Sequence, residues 1–111
     1  GFESTDLVAT FNAITPVGSS IKVYYKAAFI NGGTTLESTP YYEMKLKTRS
    51  PNFLTQFVEH SYVCDYGDGT IRYALPNMAE FNQFIVKVVL LSTDTTSVPQ
   101  VSALRVMALY D

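Results

Sequence analysis

The tightest constraint on this chain is the alternation of its apolar residues. Ile21, Val23, Tyr25, Ala27 and Phe29 occupy every second position of the stretch Ser20–Ile30, with Lys22, Tyr24, Lys26 and Ala28 between them. A period of two puts the two sets on opposite faces of a β-strand. A helix would keep Ile21 beside Tyr25 but turn Val23 away. The β-branched and aromatic content favours the strand as well. The same pattern recurs in Leu7–Ile14 (Leu7, Ala9, Phe11 and Ala13 together), in Tyr41–Lys47 (Tyr42, Met44 and Leu46 inward), and in Thr70–Leu75. Ala103–Tyr110 places Leu104, Val106, Ala108 and Tyr110 on one side, while Phe57–Cys64 is apolar on both faces. Phe84–Ser92 is apolar at nearly every position except Lys87, which predicts a central strand covered on both faces.

Between these segments lie groups of residues that favour turns: Thr15-Pro16-Val17-Gly18, Asn31-Gly32-Gly33, Ser50-Pro51-Asn52, Gly67-Asp68-Gly69, Pro76-Asn77 and Thr93–Pro99. Asn31-Gly32 and Asp68-Gly69 predict hairpins, because a type I′ turn needs positive φ at both central residues. Pro51–Gln56 and Met78–Gln83 could each hold one helical turn. The chain of 111 residues therefore reads as one all-β domain over 1–111, an antiparallel β-sandwich of seven or eight strands. Gly1 in place of a methionine reads as a cleavage scar or as a cut within a longer protein.

Composition removes several functions. The net charge of −2 lacks the basic footprint that displaces phosphate counterions, so nucleic acid is not an expected partner. No apolar run is long enough to span a bilayer and no signal peptide is visible, so membrane insertion is not expected. One cysteine, Cys64, cannot form a disulfide within the chain, and with His60 alone beside it no zinc set exists. Charged residues make up 16 %, below the roughly 25 % of an average soluble protein. Eight tyrosines and seven phenylalanines must then cover much of the surface and the core.

The most distinctive segment runs Phe81-x-x-Phe84-Ile85-Val86-Lys87-Val88-Val89-Leu90-Leu91-Ser92, then the polar stretch Thr93–Ser97, then Val98-Pro99-x-Val101-x-x-Leu104-Arg105-x-x-Ala108-Leu109. It resembles the closing motif of β-sandwich domains in baseplate or tail proteins of tailed phages, the myoviruses and marine phages. Gly18-Ser19-Ser20-Ile21-Lys22-Val23-Tyr24-Tyr25-Lys26-Ala27 is similar to an earlier strand of the same domains. Similar endings occur in galactose-binding-like jelly rolls. The resemblance implies a jelly-roll-like sandwich in a virion, acting as a non-catalytic structural domain through contacts with other virion proteins or through self-association. In physical terms, Val98-Pro99 fixes φ and withholds a ladder donor, aiming the chain into its last strand. Phe81 and Phe84 would plug one end of the sandwich. Lys87 and Arg105 can lay their stems on the sheet and reach water or a carboxylate with their heads.

Candidate chemistry is sparse. His60 is the only histidine, has no recognisable nucleophile in its sequence setting, and reads as a structural or surface residue, with Cys64 as a buried thiol. The carboxylates Asp6, Glu37, Glu43, Glu59 and Glu80 are scattered, which does not suggest a glycosidase pair, and no enzyme is expected. Asp65 and Asp68 in Asp65-Tyr66-Gly67-Asp68-Gly69 could offer oxygens to Ca²⁺, but the same residues make a hairpin turn, which is the favoured reading. Tyr24, Tyr41 and Tyr66 fall on outer faces or turns. With the Thr93–Ser97 loop they are the candidate binding residues, for a protein surface first and a host glycan as the alternative.

Overall fold

The computed structural model describes residues 6–28, 35–49, 52–64 and 83–109. Among these residues there are seven strands: β1 (Asp6–Ile14), β2 (Ser19–Ala28), β3 (Tyr42–Glu43), β4 (Lys45–Arg49), β5 (Val58–Cys64), β6 (Gln83–Ser92) and β7 (Gln100–Leu109). They form a four-stranded sheet in the order β4-β5-β1-β7 and a three-stranded sheet in the order β3-β2-β6. Every pairing is antiparallel. The two sheets pack as the expected β-sandwich around one core. The predicted strand Thr70–Leu75, the Asn31-Gly32 and Asp68-Gly69 turns and the Met78–Asn82 segment lie outside the described residues.

The core follows the period-two pattern. Leu7, Ala9, Phe11 and Ala13 of β1 face Val23, Tyr25 and Ala27 of β2, all of them buried. Phe11 stacks on His60, its direct partner across β5, at 5.8 Å between ring centres and 6° between planes. It also stacks on Tyr62 at 5.6 Å and 13°. Ala9 lies opposite Tyr62, so a small residue makes room for one of the large rings of the interior. Stacked aromatic pairs of this kind add roughly 0.5–1.5 kcal/mol each beyond the area they bury.

Tyr41–Lys47 is not one strand. Met44 is a corner: its N–H still bonds to the carbonyl of Val23 at 2.7 Å, in the three-stranded sheet, while Lys45 already pairs with Val63 in the other. Tyr42 and Met44 point inward as expected. Leu46 stays on the inner side, opposite Tyr62, yet is 43 % exposed because β4 is an outer strand of its new sheet. A shift of register between Leu46 and Thr48 then turns Arg49 to the same side, opposite His60.

Two further expectations are corrected. Among the described strands Phe84–Ser92 is an outer strand and not a central one. β6 pairs only with β2 among the described strands, and apolar side chains on both of its faces remain open. In β7 the alternation breaks at a bulge. Thr10 pairs with Arg105 but Asn12 with Ser102, so β7 carries one extra residue opposite Phe11. Ala103 takes φ 58° there. Val101 and Val106 pack on the core, while Leu104 is 48 % exposed. Phe84, expected to plug an end, is 38 % exposed. The helical turn expected in Pro51–Gln56 is a single turn, with the Thr55 and Gln56 N–H groups both on the Asn52 carbonyl.

The end that carries the β1–β2 and β6–β7 connections is tied together by polar contacts. The Ser19 N–H closes a turn onto the Pro16 carbonyl at 3.0 Å, with Gly18 at φ 87° as a type II turn requires at its third residue. The Gly18 carbonyl accepts both the N–H and the hydroxyl of Thr93, each at 3.0 Å. A Cβ at position 18 would sit 3.0 Å from that hydroxyl oxygen. Gly18→Ala is therefore expected to lower stability in urea unfolding by about 1–2 kcal/mol from backbone strain alone. Ala103→Gly relieves the opposite problem. It is expected to raise stability in urea unfolding slightly, by less than about 1 kcal/mol, since the freer unfolded chain offsets part of the gain.

Candidate protein-docking surface

The two flanks of the sandwich differ in chemistry. On one flank the chain itself crosses between sheets at Met44, and the outer strand β4 reads Lys45-Leu46-Lys47-Thr48-Arg49, exposed throughout. Lysine and arginine on an outer strand discourage another chain from adding to it. On the other flank lie β6 and β7, the outer strands of their two sheets, joined by residues 93–99. This flank carries the exposed apolar side chains Phe84, Ile85, Leu90, Leu91, Val98, Leu104 and Met107, seven of the twelve large hydrophobics exposed among the described residues.

Register explains why both faces of β6 are open. Val86 and Val88 oppose Tyr25 and Val23 and pack on the core, whereas Ile85 and Leu91 oppose Lys26 and Ser20 on the outside. On β7, Arg105 reaches across β1 to Glu59 at 3.6 Å, both groups well exposed, so this pair adds little stability. The 93–97 loop is well bonded internally. The Asp94 carboxylate accepts from the Thr96 N–H, the Thr96 hydroxyl and the Ser97 N–H, each at 2.8 Å, and the Thr96 hydroxyl bond leads in holding its pKa below the ordinary value of 3.8. The Ser92 hydroxyl donates to the carbonyls of Asp94 and Ser97. Pro99 is buried at the start of β7, where the sequence places it to redirect the chain.

Tyr24 and Tyr41 are brought together beside this flank. Lys87 of β6 lies opposite Tyr24, with its ammonium 5.4 Å from the Tyr24 ring centre and 3.9 Å from that of Tyr41. Lys26 approaches Tyr41 at 4.8 Å. Cation–π contacts on an exposed surface contribute about 0.5–1 kcal/mol each and hold these rings in place. Tyr66, Asp65 and Asp68 lie outside the described residues. Among the described residues no group of three or more His, Cys, Asp or Glu side chains could hold a metal ion, and no helix is long and apolar enough to cross a membrane.

Of the two positions left open for His60, structural or surface, the fold gives the first: it is a core residue, 2 % exposed. Its Nδ1 lies 3.0 Å from the Val58 carbonyl, which can only accept, so Nδ1 carries the proton. Sequence reasoning missed the flank asymmetry. Its signal is the nearly unbroken apolar run of β6, which in sequence alone reads as burial on both faces. Comparison with family models, with curated proteins and with solved structures returns no match.

Burial holds the His60 pKa below its ordinary 6.5, against the raising effect of the Val58 bond, and the nearby Arg49 charge lowers it further. The unfolded chain therefore binds a proton that the fold refuses. Stability is expected to be full above pH 6.5, to fall as pH drops below it, and to level off once pH passes the lower folded value. His60→Phe, which keeps a ring against Phe11, should flatten this step in urea midpoints measured between pH 7.5 and 5.

Proposed function

We propose that this chain is a non-catalytic assembly domain that associates with further copies of itself through the β6–β7 flank, in the tail or baseplate of a tailed phage. One observation carries the association: seven of the twelve large apolar side chains exposed among the described residues lie on β6, β7 and the loop that joins them, while the opposite flank is guarded by cations. Scattered exposed hydrophobics are ordinary on a monomer, but a concentration on strands that still have an open side is how sheet proteins recruit neighbours. The flank carries few charges, chiefly Lys87 and Arg105 with Asp94 in the loop, so two copies meet with little like-charge repulsion. The virion setting rests on the resemblance of the β6–loop–β7 segment and of β2 to tail and baseplate domains. The non-catalytic part is supported by His60, whose Nδ1 is engaged by a backbone carbonyl and whose ring is stacked in the core.

Glycan binding has less support. Tyr24 and Tyr41 do converge, but lysine ammonium groups already sit over their rings, where a sugar would have to stack.

Light scattering across concentration tests the association. The expected result is a mass that is a multiple of 12.3 kDa and falls toward one chain on dilution. Ile85→Lys with Leu104→Lys, both at exposed positions, should shift dissociation to at least tenfold higher concentration without changing the circular dichroism spectrum. A monomer at all concentrations, unaffected by the two lysines, would remove the proposal.

A further inference from the structure

The half-open cleft of about 320 Å³ at the Met44 corner is lined by Lys22, Arg49 and Glu43 beside apolar groups, a mixture that selects no ligand class. The outer face of the three-stranded sheet is more selective. Lys22, Tyr24 and Lys26 alternate along β2 on the side away from the buried Val23, Tyr25 and Ala27. Lys87 of β6 and Glu43 of β3 are both direct partners of Tyr24, so they share that face. Among the described residues, three lysines of these strands thus stand there against one carboxylate, in a chain whose net charge is −2.

Two of the ammonium groups converge on a single ring. Lys87 Nζ lies 3.9 Å and Lys26 Nζ 4.8 Å from the Tyr41 ring centre. A ring face holds an ammonium in place but offers it no lone pair, so the N–H donors of both lysines still need an acceptor. Neither lysine makes a salt bridge with a described carboxylate, Glu43 included. Lys87 is exposed and Tyr41 is 38 % exposed, so the pair is open to solvent. Two like charges gathered in this way repel each other until an anion joins them, and donors already held in position lose little freedom when it does.

From this arrangement we infer that the outer face of the three-stranded sheet binds a phosphate monoester, whose charged head lies between Lys26 and Lys87 beside Tyr41. The inference does not rest on the association proposed above. A phosphate monoester carries nearly two negative charges at neutral pH, spread over three acceptor oxygens, which answers two ammonium groups at once. A carboxylate or a phosphate diester brings one charge and leaves the second ammonium unmatched. Single-stranded nucleic acid supplies diesters along its backbone and needs open ring faces for its bases, whereas the faces here are taken by ammonium groups. Lys22, about 13 Å along β2 from Lys26, adds attraction at longer range.

The test is a ¹H–¹⁵N titration of the full chain at pH 7.5 and low salt with methyl phosphate, and with dimethyl phosphate as the singly charged analogue. Methyl phosphate is expected to shift the amides of Tyr24, Lys26, Tyr41 and Lys87 saturably, with dimethyl phosphate about fivefold weaker or more. Lys26→Gln and Lys87→Gln should each weaken methyl phosphate by about fivefold, and Glu43→Gln should strengthen it by about twofold. Lys47→Gln, at an exposed position of β4, changes the net charge equally and should leave binding as it was. Glucose 6-phosphate and phosphatidylcholine vesicles containing phosphatidic acid then separate a sugar-borne from a lipid-borne phosphate, and binding of either that Lys87→Gln weakens supports the site. No saturable shift, equal binding of the two methyl esters, equal weakening by Lys47→Gln, or binding of neither glucose 6-phosphate nor the vesicles would each overturn the inference.

Discussion

At Met44 one stretch of backbone belongs to both layers. Its N–H closes the last bond to β2, and the next residue opens the pairing with β5. A sandwich is otherwise held by side-chain packing, which tolerates sliding and rotation of one sheet on the other. Here a single buried residue between two short strands fixes their separation on one flank. The register of β4, the position of Leu46 and Arg49 against Tyr62 and His60, and the opening of the end cleft follow from that corner. The same corner closes one flank, and among the described strands β6 and β7 are the outer ones on the other.

Phe11 does comparable work inside the core. Its stacking on His60 and Tyr62 binds β1 to β5 by ring contacts added to their backbone ladder. It also explains a histidine in an otherwise apolar interior: the neutral ring stacks like a phenylalanine while Nδ1 is satisfied two residues back along the chain. The Nε2 atom is the polar remainder of that solution, buried without a hydrogen-bond partner among the described residues.

Much of this was legible in the residues. The alternation in Leu7–Ile14 and Ser20–Ala28 identified the inner faces of β1 and β2, because each is a regular strand with one buried side. Thr15–Gly18 and Thr93–Pro99 marked real connections, since proline and glycine restrict or release φ in any context. The failures came where long-range structure intervenes. Nothing local to Tyr41–Lys47 records that its two halves pair with different sheets. The bulge at Ala103 uses a residue with no preference for positive φ, so composition did not announce it. An apolar run such as Phe84–Ser92 reads alike whether its faces meet the same chain or another one. The cleft was invisible for a related reason. Thr15, His60 and Phe53 are far apart in sequence, and the turn after Asn52 had to fold back before they met.

The contrast between the cationic β4 and the apolar β6–β7 side also sets a limit on growth. A sheet protein that is adhesive on both sides can add subunits without end, as fibres do. In the proposed association only one side of this sandwich would be adhesive, so contact through it would consume the capacity for more. Valence of that kind yields closed pairs or small rings whose size is decided by geometry and not by concentration.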